Sequence, residues 1–137
     1  MSVVLLRHAS AGDRDGWEGD DALRPLDERG RRQALTLRKT LGRDVGRVVS
    51  SRYVRCIETV VPLACDLERT IEIDARLAEG ADASDALALL AELDGGVACT
   101  HGDVVVALLG RTLKKGAAAI VAVEAGAVRV LDVLPAP

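Results

Sequence analysis

The residues able to do chemistry in this 137-residue chain sit at the ends of short apolar runs. Arg7 and His8 follow Val3-Val4-Leu5-Leu6, and His101 follows Val97-Ala98-Cys99-Thr100. These are the only two histidines in the chain, and each stands just before small residues. Ser51 closes a third apolar run, Arg55 lies four residues further on, and Glu79 follows Arg76-Leu77-Ala78. Two arginines, two histidines and one carboxylate suit a dianionic phosphoryl group. A neutral imidazole such as His8 can attack phosphorus and carry the phosphoryl group as a covalent intermediate. Arginine forks would stabilise charge on the equatorial oxygens, where phosphoryl transfer gains most of its catalysis. A protonated Glu79 could give its proton to the leaving oxygen and later activate water. The scheme calls for no metal and no cofactor.

Taken one at a time, these residues also have plainer readings. Arg7 can be a solvated strand end, His8 a hydrogen-bonded core histidine and Arg55 a surface arginine. Two histidines in the same strand-end setting favour a shared site. A metalloenzyme with His8, His101 and Asp103 as ligands is a rival, but Arg7 beside a ligand would oppose the metal's charge. A catalytically idle phosphate-binding regulatory module is a second rival.

Such a site requires elements that bring the run ends together. Val3 to Leu6 reads as a strand buried on both faces, as in a parallel sheet. In an open α/β sheet, ligands bind beyond the carboxyl ends of the strands, where these residues fall. A charged loop from Ala9 to Pro25 precedes a helix with Asp27 as its N-cap and an apolar stripe of Ala34, Leu37 and Leu41. Arg29, Arg31, Arg32, Arg38 and Lys39 are left for its solvated face. Val45 to Val49 predicts a second strand, followed by a helix to about Asp66 that Pro62 should kink or break early. Ser51 and Arg55 lie at that helix's start, where free N–H groups favour an anion. Ile71 to Ile73 predicts a third strand. A helix through Leu93 follows, capped by Asp82 or Ser84, with Leu87, Leu90 and Ala91 inward. The strand ending at His101 leads into a helix over residues 103–109. Ala117 to Val123 and Val128 to Val133 form a hairpin across Glu124-Ala125-Gly126. The pattern predicts one domain over residues 1–137: three-layer α/β/α, with a mostly parallel central sheet, helices on both faces and a C-terminal hairpin.

Composition narrows the possibilities further. Nearly half of the residues are hydrophobic and 28% are charged, a globular composition. With one Trp, one Tyr and no Phe, the chain lacks the stacking platforms of single-stranded nucleic-acid binders. A net charge of −3 predicts no general attraction to nucleic acid or to an anionic membrane. Cys56, Cys65 and Cys99 are odd in number without a C-x-x-C pair, and read as reduced core residues. The start has no basic region before its short apolar run, so a cytoplasmic protein is expected.

Leu6-Arg7-His8-Ala9, Arg24-Pro-Leu-Asp-Glu-Arg-Gly30, Ser50-Ser51 to Arg55 with Glu58-Thr59, Leu77-Ala78-Glu79 and Thr100-His101-Gly102 together resemble the histidine phosphatase superfamily. The resemblance implies the phosphoglycerate-mutase-like fold. It implies His8 as the phosphorylated nucleophile and Arg7, Arg55 and His101 as the phosphate pocket, with Ser51 of lower rank. Glu79 matches the family's proton donor through a Leu-x-Glu pattern only. Ala9 stands where the family has glycine. The short length is similar to that of the compact SixA-type phosphohistidine phosphatases. Trp17-Glu18-Gly19-Asp20-Asp21 resembles the histidine-phosphatase domains fused to Nudix hydrolases. The first likeness implies a phosphohistidine protein as partner, the second a nucleotide-derived phosphate, and a small phosphomonoester suits the same chemistry.

Overall fold

The computed structural model describes residues 2–42 and 44–137. Its elements run β1 (Val3–Arg7), α1 (Glu28–Thr40), β2 (Val48–Ser50), α2 (Val54–Leu67), β3 (Ile71–Ile73), α3 (Ala83–Glu92), β4 (Val97–Thr100), α4 (Gly102–Leu109), β5 (Ala118–Glu124) and β6 (Ala127–Leu134). One six-stranded sheet has the order β3-β2-β4-β1-β5-β6. The first four strands in that order are parallel, β5 pairs antiparallel with β1, and β6 pairs antiparallel with β5.

Side chains alternate across a strand, so each central strand feeds two cores. Leu5, Val49 and Ala98 pack with Leu89, Leu90 and Leu93 at α3 and Val105 of α4. Leu6, Val48, Val97 and Cys99 point the other way, onto Leu37 of α1 and Cys56, Val60 and Leu63 of α2. This is the expected three-layer arrangement. Each fully buried Leu or Val contributes about 1.5–3 kcal/mol, so strands of three to five residues are held mainly by the helices covering them.

Local details differ from expectation in instructive ways. The second strand begins at Val48 rather than Val45, because Gly46 bonds only to Gly95 outside the ladder. The predicted break at Pro62 does not occur, and α2 continues to Leu67. Val60, Leu63 and Ala64 hold its buried face on both sides of the proline. In α3 the inward positions are Ala86, Leu89 and Leu90, whereas Ala91 is exposed and Leu87 only half-buried. Packing of Leu89 and Leu90 against Leu5, Val49 and Ala98 of the sheet turns the stripe away from the predicted one. Cys65 is exposed, while Cys56 and Cys99 are core residues as expected. The loop after β1 holds two 3-10 turns, Arg14–Gly16 and Asp21–Leu23.

The start of α1 ties that loop down. Asp27 Oδ1 caps the helix by accepting the Gly30 N–H at 2.8 Å, as predicted. Its Oδ2 accepts the Ser10 hydroxyl at 2.7 Å and the Gly12 N–H at 3.0 Å. The contact is close enough that a Cβ at Gly30 would fall on the Ser10 carbonyl oxygen. Alanine normally gains about 1 kcal/mol over glycine in a helix. Here overpacking against fixed backbone, typically about 1–3 kcal/mol, acts against that gain. Gly30→Ala should therefore lower stability despite its higher helix propensity, read as a fall in the urea midpoint.

Candidate active site

Parallel pairing sets Arg7 opposite Thr100, so the next residues, His8 and His101, leave adjacent strand ends side by side. The His8 N–H donates to the Thr100 carbonyl at 3.0 Å. The two imidazole rings meet edge to face with centroids 5.4 Å apart. Both are buried, at 5% and 1% exposure.

His8 is held in one chemical form. Its Nδ1 lies 2.8 Å from the Ala9 carbonyl oxygen. A carbonyl can only accept, so the ring proton sits on Nδ1 and Nε2 keeps its lone pair. Burial is the main force lowering its pKa, to about 3. The Ala9 bond opposes that shift, and the charges of His101, Arg55 and Arg7 add to it. The ring is therefore neutral at neutral pH, as a nucleophile must be.

His101 is braced from behind. Ser51 Oγ lies 2.9 Å from its Nε2, and the Tyr53 ring packs on it at 4.7 Å. Ser51 Oγ also accepts the Tyr53 N–H at 3.3 Å, which leaves the serine proton free for Nε2. When the serine donates to Nε2, Nδ1 of His101 carries the ring N–H. Arg7 donates from Nη1 to the Leu113 carbonyl at 2.7 Å. Its guanidinium lies flush against the first residue of α4, where a Cβ on Gly102 would come within 2.8 Å of Cζ. Burial lowers the Arg7 pKa, and Asp103 counters part of that shift.

Arg55 is completely buried. Its Nη1 donates to the Asp21 carbonyl at 2.9 Å, and its Nη2 pairs with the Asp21 carboxylate at 3.1 Å and Glu79 Oε1 at 3.5 Å. Glu79 is also paired with Arg14, a largely exposed side chain. Burial pushes the Asp21 carboxyl up, but the Arg24 bond and the charges of Arg55, Arg24 and Arg14 more than offset this. Asp21 consequently sits below the usual carboxylate range.

Among the described residues, three buried side-chain nitrogens have no hydrogen-bond partner: Arg7 Nε, Arg55 Nε and His101 Nδ1. All three belong to this cluster. An unpaired buried donor costs about 1–3 kcal/mol, and native proteins rarely keep one without a use for it. A cleft of about 640 Å³ opens beside them, lined by Arg7, His8, Glu79 and His101 together with Arg24 and Lys115.

The structure thus gathers the residues singled out in the sequence, in two tiers. Arg7, His8, Glu79 and His101 face the cleft, whereas Ser51 lies behind His101 and Arg55 lies beneath, against Asp21 and Glu79. Sequence reasoning missed Asp21, Arg14 and Arg24 as members of the site. Their only signal was charge density, which does not tell which carboxylate meets which arginine. Asp103, the metal rival's third ligand, accepts the Gly80 N–H at 2.7 Å. Among the described residues no three His, Cys, Asp or Glu side chains gather into a metal-binding group, and no helix is long and apolar enough to cross a membrane.

The fold is an open α/β sheet with these residues at its strand ends, and comparison with known proteins gives the family. A family model for the histidine phosphatase superfamily, branch 1, matches residues 3–83. The chain belongs to that superfamily. An 8-oxo-(d)GTP phosphatase of Mycolicibacterium smegmatis is 37% identical over 116 residues, covering 79% of this chain. The chain spans only 36% of that relative's length. The structure of the protein histidine phosphatase SixA complexed with tungstate superposes with a TM-score of 0.76 at 22% identity, covering 98% of this chain and 97% of that one. A mycobacterial glucosyl-3-phosphoglycerate phosphatase complexed with VO3 gives 0.76 at 20% identity, covering 99% of each. These likenesses carry the phosphoglycerate-mutase-like α/β fold expected from the sequence.

The depressed His8 pKa has a consequence for stability. Unfolded imidazole takes up a proton near pH 6.5, whereas folded His8 resists protonation down to about 3. The resulting contribution is intact above about pH 6.5 and is lost as pH falls toward 3. Between pH 8 and pH 5, urea denaturation should show the wild type losing about 2 kcal/mol more than His8→Gln. Equal losses would mean that His8 titrates normally.

Proposed function

We propose that residues 1–137 form one histidine phosphatase domain that hydrolyses phosphoryl groups, without a metal, through a phosphohistidine on His8. The observation that carries this reading is the set of three unpartnered buried donors around a neutral, buried imidazole. Nε2 of His8 attacks phosphorus, and the bond from phosphorus to the leaving atom breaks, an oxygen in a phosphoester and a nitrogen in a phosphohistidine. Arg7, Arg55 and His101 bind the three equatorial oxygens with the N–H groups that lack protein partners. Arg55 offers its unpartnered Nε while Nη1 and Nη2 stay with Asp21 and Glu79. Glu79 gives a proton to the leaving atom. Its carboxylate then takes a proton from water as that water attacks phosphorus. The P–N bond breaks, phosphate leaves, and His8 recovers its lone pair. Ser51 acts as a positioning residue for His101.

The substrate is a small phosphomonoester, a nucleotide-derived phosphate or a phosphohistidine protein. The names of the similar proteins span all of these. The proposed partners include neither nucleic acid nor membrane, and the proposed location is the cytoplasm.

A panel of para-nitrophenyl phosphate, nucleotides and a phosphohistidine protein, assayed with EDTA present, tests the reading. Turnover should survive EDTA, and His8→Ala should lower kcat by about a thousand-fold or more. Acid-quenched wild type should carry a labelled phosphoryl group that the variant lacks. Normal turnover by His8→Ala would sink the mechanism. Phosphate binding without turnover by the wild type would identify an idle module, a reading favoured only by the pairing of Glu79 with Arg14 and Arg55.

Glu79→Gln separates the proton-donor role from binding. It should slow poor leaving groups about ten-fold or more beyond its effect on activated aryl phosphates, which depart without a proton. An equal loss on both would make Glu79 a structural partner of the arginines.

A further inference from the structure

Lys115 is the cation of the cleft that the phosphoryl chemistry leaves unused. Arg14, Arg24 and Arg55 each pair with Asp21 or Glu79, and Arg7 lies against α4 with one nitrogen committed to Leu113. Lys115 lines the same cleft as His8 and makes no ion pair among the described residues.

Its position is nevertheless fixed to the nucleophile. The Gly116 N–H donates to the carbonyls of both Arg7 and His8, at 3.2 and 3.0 Å. Gln33 Nε2 donates to the Lys115 carbonyl at 3.2 Å. The lysine backbone therefore moves with His8, and only its flexible stem is free to adjust. Its surroundings are unfavourable for a cation. Burial pulls the Lys115 pKa down, Arg7 and Arg24 pull it further, Asp27 opposes them, and Arg55 adds to the lowering. Lys115 is exposed at the mouth of the cleft, and an ammonium there, with Arg7 and Arg24 lining the same cleft, gains most from an anionic ligand.

We propose that Lys115 is a specificity residue that binds a second anionic group, a phosphate or carboxylate, on the leaving group of a small phosphoester. The inference rests on the phosphoryl group lying at His8. There Arg7, Arg55 and His101 already match its three equatorial oxygens, so Lys115 is left for a separate anion. A cleft of about 640 Å³ has room for such a group beside the phosphoryl oxygens.

Lys115→Met removes the charge and keeps most of the stem, and Lys115→Arg restores a cation. Equilibrium binding of orthophosphate and pyrophosphate tests the subsite without relying on turnover. Wild type should prefer pyrophosphate by about ten-fold, the size of one charge-assisted hydrogen bond. Lys115→Met should lose that preference while binding orthophosphate unchanged, and Lys115→Arg should recover it. In kinetics, Lys115→Met should raise KM about ten-fold for a nucleoside diphosphate and for phosphoglycerate, and less than two-fold for para-nitrophenyl phosphate. Loss of orthophosphate and pyrophosphate binding in equal measure, or of neither, would overturn the assignment. So would an effect confined to a phosphohistidine protein. Intact pyrophosphate preference without any turnover would overturn the phosphatase mechanism and leave the subsite standing.

Discussion

The site depends on the parallel pairing of β1 with β4. Because Arg7 is in register with Thr100, two histidines almost a hundred residues apart become neighbours one step past their strands. A slip of one residue would turn every side chain of β1 to the opposite face. Leu5 would leave the core under α3 and α4, and Leu6 the core under α1 and α2. The burial of two leucines in opposite directions thus sets the register, and the register sets the distance between His8 and His101. Ser51 joins through the next strand over, its N–H bonded to the Cys99 carbonyl at 3.0 Å.

Around this frame the electrostatics are deliberately unequal. The Arg55 guanidinium has no solvent exposure and is balanced by Asp21 and Glu79, each only partly buried. Removing a partner from a buried charge is costly, so the loop carrying Asp21 belongs to the stability of the site as well as its surface. Elsewhere the balance is left open. Arg7 Nε, Arg55 Nε and His101 Nδ1 lack partners in a molecule that otherwise satisfies its buried side-chain polar atoms among the described residues. A phosphoryl group presents acceptors suited to such donors. The neutral form of His8, fixed by burial and the Ala9 carbonyl, completes the chemistry.

Small polar residues lock the segment after the nucleophile. Thr59 Oγ1 accepts the Ala9 N–H at 3.0 Å and donates to the Arg55 carbonyl at 2.6 Å. Gln33 accepts the Ser10 N–H at 2.9 Å, and Asp27 holds Ser10 and Gly12. Helices α1 and α2 therefore serve the site from their polar edges while their apolar faces cover the sheet. Ala9 itself is completely buried, next to Thr59, Leu26 and Ala34. A small side chain suffices at that position.

Sequence alone determined the parts that rest on local pattern. The order of strands and helices, the Asp27 cap, the C-terminal hairpin and the strand-end placement of His8 and His101 all follow from periodicity, capping chemistry and turn residues. Those signals operate over a few residues, so they are legible in the chain. Tertiary structure decided what depends on partners distant in sequence. It carried α2 through Pro62 because buried residues hold the helix on both sides, and it set the phase of α3 so that Ala91 faces solvent. It placed Ser51 behind His101 instead of in the cleft, buried Arg55 against Asp21, and left Lys115 without a counter-charge. A loop rich in both signs of charge admits many pairings in sequence. Only packing, by fixing which groups lose their water together, selects one.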